Sequence, residues 1–212
     1  MHIQEVILNT ASLVRTKLFY SKTLELPVVK ETAEAITFKA GETMLTFKAV
    51  HEGRPFYHIA FNITNNKFSD SFEWINNKLD ILPAEHGLPI ANYPAWNAES
   101  FYFHDNNGSI LELIVRFDLP YYSPEPFSVT DIKEISEVGI VSENVEETAS
   151  SLHVSHGIPY FPKSKPSDNF TVMGDDHGLL IITLNGRGWV PTHKPAQIFP
   201  MTVIADGKRM EF

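Results

Sequence analysis

A single carboxylate, Glu112, lies inside an apolar stretch of sequence that has the composition of a buried β-strand. The stretch runs from Ile110 to Val115 and follows a turn-like cluster, His104 to Gly108. An unpaired carboxylate in such a strand is costly, because it loses its hydration unless it takes up a proton. Glu112 is therefore expected to be exposed to solvent, to form an ion pair, or to face a cation.

The composition is that of an ordinary globular chain, and it argues against several kinds of partner. The 212 residues contain 17 Lys and Arg against 26 Asp and Glu, a formal net charge of −9, so a nucleic-acid partner is not expected. The apolar runs are far shorter than the ~20 residues of a membrane helix, and a signal-peptide pattern is missing, so we expect a cytoplasmic protein without membrane contact. The absence of cysteine excludes disulfides, thiolate metal ligands and a cysteine nucleophile.

The same order of signals occurs three times along the chain. Each unit opens with an alternating strand, continues with an amphipathic helix and an X-Pro strand entry, and ends with a glycine turn and an apolar strand. The opening strands are Ile3 to Leu8, Tyr57 to Ile63 and Glu137 to Val141, the helices Ser12 to Leu24, Ser69 to Leu79 and Asn144 to His153, and the closing strands Met44 to Phe47, Ile110 to Val115 and Leu179 to Leu184. Each unit is predicted to be β-α-β-β-β, an α+β fold, with boundaries at about 1–51, 52–127 and 128–212.

These units resemble the vicinal oxygen chelate superfamily, which includes glyoxalases, bleomycin-resistance proteins and extradiol dioxygenases. The resemblance rests on EVILNTASLVRTKLFYSKTLELPVV in the first unit and on YHIAFNI and FYFHDNNGSILELIVR in the second. It implies that two modules, here residues 1–127, pair into a curved, cup-shaped sheet that holds one divalent metal ion, while residues 128–212 form a third, diverged module. That module is expected to cover a sheet edge, to be completed by a late strand from Phe199 to Ile204, or to pair with its copy in a homodimer.

The resemblance implies metal ligands in the first strand and in the middle of the last strand of a module. These positions hold His58 and Glu112 in the second unit. In the first unit they hold Glu5 and Leu45, so a fourth ligand is missing; a shift of one residue would offer Thr46. The three remaining ligands would suit Zn, Ni, Mn, Co or Fe(II) and would leave coordination positions open for water or substrate.

Each of these assignments has a structural alternative. His58 could be a hydrogen-bonded core histidine. Glu5 could be an exposed edge residue, since the third unit has Glu137 at the same first-strand position but Ile182 where the second unit has its carboxylate. The turn residues from Asp175 to His177 are expected to have structural roles.

The long segment from His86 to Glu99 precedes the last two strands of the second unit. Tyr93 and Trp96 lie in this segment, and we predict that they line a substrate pocket. The alternative is that both aromatic side chains simply pack on the core.

The leading hypothesis is a glyoxalase-like, metal-dependent enzyme, a lyase or isomerase, whose small oxygenated substrate chelates the ion through adjacent oxygens. One alternative is a metal-free protein of the bleomycin-resistance type that binds and sequesters a ligand. Another is an extradiol ring-cleaving dioxygenase, although its two-His-one-carboxylate triad is incomplete here. The small-molecule partner itself is not specified by the sequence.

Overall fold

The computed structural model describes the backbone of residues 1–212 and every side chain except that of Glu85. The first unit contains β1 (Ile3–Thr10), α1 (Leu13–Leu18), β2 (Val28–Glu31), β3 (Ala35–Ala40) and β4 (Thr43–Ala49). The second contains β5 (His58–Ile63), α2 (Phe68–Asn76), β6 (Ala91–Tyr93), β7 (Ala98–His104) and β8 (Ile110–Arg116). The third contains β9 (Ile132–Ser142), α3 (Val145–His156), β10 (Phe170–Asp175) and β11 (Gly178–Leu184). The tail adds β12 (Gly188–Trp189), β13 (Lys194–Pro195), β14 (Thr202–Ala205) and β15 (Lys208–Glu211).

The predicted strand-helix-strand order is confirmed in the first two units, while the third is shortened. Where the third unit should have a strand after its helix, a single bridge joins Tyr160 to Met173. The unit boundaries proposed from the sequence fall outside helices and strands. None of the described helices combines the length and apolar character needed to span a bilayer.

Two helices begin where local sequence predicts. The Ser12 side chain accepts a hydrogen bond from the Arg15 backbone N–H at 3.4 Å, and the Asn144 side chain accepts one from the Glu147 N–H at 3.1 Å. Such N-caps satisfy backbone donors that have no partner within the helix. The first α-helix is short because it continues as a π-helical turn, Phe19–Thr23.

The strands form two main sheets, and their membership differs from the prediction. The first sheet has the order β15-β14-β1-β4-β3-β2, and the second has the order β10-β11-β9-β5-β8-β7-β6. Antiparallel pairing of β5 with β9 joins the second unit to the third, with Ala60 opposite Glu137. The predicted pairing of residues 1–51 with residues 52–127 is therefore wrong, because the sheet of the second unit continues into the third.

The C-terminal hairpin explains why the first unit has a different neighbour. The strand β14 pairs antiparallel with β1, with Val203 opposite Val6. It therefore occupies the edge of β1 that corresponds to the edge of β5 paired with β9. The expected late strand near residues 199–204 is confirmed, but it extends the first sheet instead of the third unit. The third unit has its partner within the chain, because β9 pairs with β5, and a homodimer stays a prediction.

Period-two alternation divides the second sheet into a core face and an opposite face, called here the cup face. Phe61, Leu113 and Val138 point to the core face and belong to a large hydrophobic cluster that also contains Val6 and Phe47 of the first sheet. The core therefore lies between the sheets and their helices, on the side of the second sheet opposite the cup face.

Candidate active site

Three ionisable side chains meet at the centre of the cup face. Glu112 of β8 projects from the position opposite Ala60 of β5, and Ala60 in turn lies opposite Glu137 of β9. His58 precedes Ala60 by two residues and so projects from the same face of β5. Ala60, which lies between the two carboxylates, has a small side chain and packs in a cluster with Tyr93 and Trp96.

The donor atoms of these residues are spaced as ligands of one ion would be. The Nε2 atom of His58 lies 3.6 Å from Oε2 of Glu112 and 3.8 Å from Oε2 of Glu137. One donor atom from each residue lies within 4.8 Å of the other two. Ligands at about 2.0–2.2 Å from a zinc-like ion are about 3–4 Å from one another, so the three residues fit a divalent ion.

A backbone contact determines which nitrogen of His58 is available. Its Nδ1 atom lies 3.3 Å from the carbonyl oxygen of Ile110, which can only accept a hydrogen bond. In the neutral ring Nδ1 therefore carries the proton, and the lone pair of Nε2 faces the carboxylates. Histidine ligands of metals are commonly oriented by such a contact.

Arg116 provides a permanent positive charge beside the cluster. Its Nη2 donates to Oε1 of Glu137, and its guanidinium carbon lies 5.4 Å from the centre of the Trp96 ring. The side chain is buried, and its Nη1 lies 3.5 Å from Oδ1 of Asp176. Arg116 thus balances one of the two buried carboxylates. The negative charge of the other carboxylate, Glu112, is balanced by His58 when this ring is protonated, or by a bound cation.

The environment raises the pKa values of Glu112 and His58. Burial raises the pKa of Glu112 to about 7, and the Glu137 carboxylate adds to this shift, while His58 opposes it. Burial alone would lower the pKa of His58, but its contacts with Glu137 and Glu112 outweigh burial and raise that pKa. Glu112 therefore titrates near neutral pH, in the range where general acids and bases work best, and His58 beside it keeps its proton to a higher pH than an ordinary histidine.

A cavity of about 490 Å³ opens above the cluster. Its volume is within the range of small-molecule sites, and its walls are mainly apolar with few polar groups. The residues that line it include His58, Tyr93, Trp96, Tyr102, Glu112, Glu137, Ile181, Arg187 and Trp189.

Comparison of the sequence with protein-family models and with curated proteins gives no match. Comparison with solved structures does. A "putative dioxygenase" from Bacillus subtilis subsp. subtilis str. 168 aligns with 86% of the chain at a TM-score of 0.64 and 15% identity. A glyoxalase I mutant from Zea mays aligns with 87% of the chain at a TM-score of 0.55 and 14% identity. The chain shares the fold of these two proteins. The alignments cover 63% of the Bacillus protein and 67% of the maize protein.

With this fold, the cup is built from the second and third units, and Glu5 does not join it. Glu5 lies on β1 of the first sheet, where its carboxylate accepts a hydrogen bond from the Thr46 hydroxyl at 2.9 Å. Its assignment as the third ligand is corrected to Glu137, because that assignment assumed the wrong pairing of units. His58 and Glu112 are brought together as expected, and their role as ligands stays a prediction.

The position on β11 that matches Glu112 of β8 is apolar in this chain. Glu137 lies opposite Leu179 of β11, so the residue that corresponds to Glu112 is Ile181, two positions further along the strand. In the sequence, Ile182 follows the turn glycine Gly178 by four residues, as Glu112 follows Gly108, and the sequence pattern therefore matches it to Glu112. In the structure the Ile182 side chain belongs to the core cluster instead. Ile181 lines the cavity, so the site has three ligand candidates and one hydrophobic wall in place of a fourth.

Tyr93 and Trp96 both line the cavity, at the positions where strand β6 and the following turn place them. The Tyr93 hydroxyl is hydrogen-bonded to the Tyr102 hydroxyl. The rings of Tyr93 and Trp96 stack with their centres 5.5 Å apart. The indole nitrogen of Trp96 donates to the Lys163 carbonyl at 3.1 Å. These contacts hold both rings in place, and contact with a substrate stays a prediction.

Sequence reasoning missed Arg116 and Trp189. Arg116 follows Glu112 by four residues in the same strand, so alternation alone places it on the cup face. Trp189 lies in the irregular tail, which has no periodic signal, and its ring centre is 5.3 Å from that of His58. A side chain at Gly139 would place its Cβ 2.6 Å from Trp189, so glycine is required for this contact.

Proposed function

We propose that this chain is a glyoxalase-like, metal-dependent enzyme that acts on a small oxygenated molecule. The observation that carries the proposal is the convergence of His58 Nε2 with one oxygen each of Glu112 and Glu137 on the cavity wall. One nitrogen and two oxygen donors suit Zn, Ni, Mn, Co or Fe(II). When bound, such an ion would polarise a carbonyl or enediolate oxygen of the substrate.

The protein's own residues fit proton transfer next to that oxygen. Without a bound ion the pKa of Glu112 is about 7, so this carboxyl can hold or release a proton near neutral pH whenever it does not ligate the ion. The ion pair with Arg116 holds Glu137 in one orientation, and burial of the group limits access of water. This combination supports a lyase or isomerase reaction, in which a proton moves between carbon and oxygen.

The cavity walls indicate what kind of molecule is bound. Tyr93, Trp96 and Trp189 present ring surfaces, while Arg187 adds a positive charge to the lining. A ligand with an apolar or aromatic part and a polar, oxygen-rich end would match both features. The cavity volume limits it to a small molecule.

Two alternatives have specific observations in their favour. Arg116 already balances Glu137, and Ile181 replaces a fourth ligand, so the cup could hold a ligand without a metal, as a sequestering protein does. The Bacillus protein's description as a dioxygenase favours ring cleavage. However, the group contains one histidine, and Fe(II)-dependent oxygenases of this kind use two with one carboxylate.

Metal binding by carboxylate variants tests the proposal. We expect Glu112→Gln and Glu137→Gln each to weaken binding of one ion about tenfold or more, because each removes a charged ligand. The matched control is Glu5→Gln, a first-strand carboxylate outside the cup, which should bind as the parent protein does. Elemental analysis after dialysis against Zn²⁺, Ni²⁺ or Mn²⁺ gives both stoichiometry and affinity. Equal binding by all three variants would remove the basis of the metal site.

Reaction type requires a separate measurement. A lyase or isomerase should catalyse metal-dependent exchange of the C–H proton next to a carbonyl with D₂O, which NMR detects across a panel of α-hydroxycarbonyl compounds. Rapid oxygen uptake with catechols after anaerobic Fe(II) loading, without such exchange, would instead support the dioxygenase alternative.

A further inference from the structure

A second group of possible ligands, His2, Glu134 and His177, lies away from the cup cavity. His2 precedes β1 in the first sheet, Glu134 lies on β9 of the second sheet, and His177 lies in the turn between β10 and β11. Three segments distant in sequence therefore converge where the two sheets meet.

The donor atoms of this group are close enough to share an ion. The Nδ1 atom of His177 lies 3.1 Å from Oε1 of Glu134, and the Nδ1 atom of His2 lies 3.8 Å from Oε2 of the same carboxylate. One donor atom of each residue lies within 4.8 Å of the others, as in the cup. The two imidazole ring centres are 4.9 Å apart.

Neighbouring side chains hold the Glu134 carboxylate in place. Its Oε1 atom accepts a hydrogen bond from Asn62 Nδ2 at 2.9 Å and one from the Tyr121 hydroxyl at 3.0 Å. Glu134 itself is 4% exposed. Carboxylates that bind metals are usually oriented by hydrogen bonds of this type, so the arrangement is already suited to an ion.

The charge of Glu134 is not balanced as that of Glu137 is. Among the described side chains, the cationic groups within 4.0 Å of Glu134 are the imidazoles of His2 and His177, neither of which is permanently charged. Glu137, in contrast, has the guanidinium of Arg116. A buried carboxylate without a permanent counter-ion is stabilised by a bound cation.

We propose that His2, Glu134 and His177 form a second metal site that takes a divalent transition ion such as Zn²⁺ through two nitrogens and one carboxylate. The side chains of His2 and His177 are 61% and 33% exposed, so an ion can enter from solvent and water can complete its coordination. Because the ligands come from both sheets, the ion clamps the start of the first sheet to the second. This site is independent of the proposed activity in the cup.

The variant His177→Asn separates a metal site from a simple hydrogen bond. An asparagine amide can still donate to Glu134 from near the position of Nδ1, so a structural hydrogen bond is kept. It is a poor ligand for Zn²⁺, so metal binding is lost. The matched control is His51→Asn, which changes an exposed loop histidine of the first unit.

Zinc titration tests the site in the Glu112→Gln background, where the cup is impaired. We expect this protein to bind one Zn²⁺ by equilibrium dialysis and to melt about 5 °C or more higher at saturating Zn²⁺, because the ion binds only the folded state. Adding His177→Asn should weaken binding at least tenfold and abolish the shift in melting temperature, while His51→Asn should leave both unchanged.

Two results would overturn the second site: unchanged zinc affinity after His177→Asn, or a Glu112→Gln protein that takes up no zinc and shows no shift in melting temperature. Failure of the cup site has a different result. In that case the parent protein and Glu112→Gln bind the same single ion, and His177→Asn still removes it.

Discussion

The two sheets carry related residues at matching positions, and their different surroundings decide what those residues can do. On the first sheet, Glu5 is half-buried and is hydrogen-bonded to Thr46, which occupies the position of Glu112 in its own unit. On the second sheet, Glu112 and Glu137 are buried together, and the pKa of Glu112 is raised to about 7. An acidic residue on a sheet face is therefore insufficient by itself to make a reactive group.

The difference arises from what covers each sheet. The face of the first sheet that carries Glu5 also presents Lys39 and Lys48, and both lysines are exposed. The cup face of the second sheet is covered by the aromatic segment with Tyr93 and by Trp189 from the tail. Exclusion of water raises the cost of a charge, so burial raises the pKa of Glu112 on the second sheet, while Glu5 on the first sheet accepts a hydrogen bond from Thr46.

The largest effect is expected from removing the permanent charge of the cup. Arg116→Met leaves Glu137 buried without its partner, so the free energy of unfolding should fall by about 3–5 kcal/mol. Urea denaturation in the presence of EDTA measures this change. The control Lys39→Met, on the exposed face of the first sheet, should stay within about ±0.5 kcal/mol. A loss below about 1 kcal/mol for Arg116→Met would mean that the buried cation of the second sheet contributes little more to stability than the exposed lysine of the first.

The pH dependence of stability sharpens the same comparison. Because the folded pKa of Glu112 is raised to about 7, its contribution to stability is complete below the unfolded pKa of about 4.3 and is lost as the pH rises through 7. The raised pKa of His58 acts in the same direction. Without metal, the free energy of unfolding should fall between about pH 5 and 8 by on the order of 2–3 kcal/mol more in the parent protein than in Glu112→Gln.

Glu5→Gln serves as the control for this measurement and should follow the parent protein across the same pH range. Urea denaturation at a series of pH values with EDTA gives the three curves. Parallel curves for the parent and Glu112→Gln would contradict the raised pKa of Glu112.

A smaller loss of stability is expected when a side chain is added on the cup face beneath Trp189. In Gly139→Ala the new Cβ would lie 2.6 Å from Trp189 Cη2 and 3.0 Å from His58 Cβ, so the indole must move at a cost of about 1–3 kcal/mol. Tryptophan fluorescence should report the displacement, and thermal melting the destabilisation. The double variant Gly139→Ala/Trp189→Phe removes the clashing ring atoms and should recover part of the lost thermal stability. If no stability is recovered, the position of Trp189 over the cup face does not depend on its contact with Gly139.

Local patterns were sufficient for much of the fold. The N-caps Ser12 and Asn144 act within a few residues of themselves, so the sequence alone located these helix starts. His58 and Glu112 belong to one unit with parallel neighbouring strands, and period-two alternation places both on one face. That part of the candidate site could be predicted because it depends on short-range geometry.

The sequence by itself therefore determined the strand-helix units and two of the three residues in the cup. Only the tertiary structure decided that Glu137 is the third member and that Glu5 is not. The first strand of each unit presents an edge that can pair, and the composition of each sheet depends on which distant strand reaches that edge. The edge of β1 pairs with β14, and the edge of β5 pairs with β9. Such contacts join segments far apart in sequence, and neither local periodicity nor residue type specifies them.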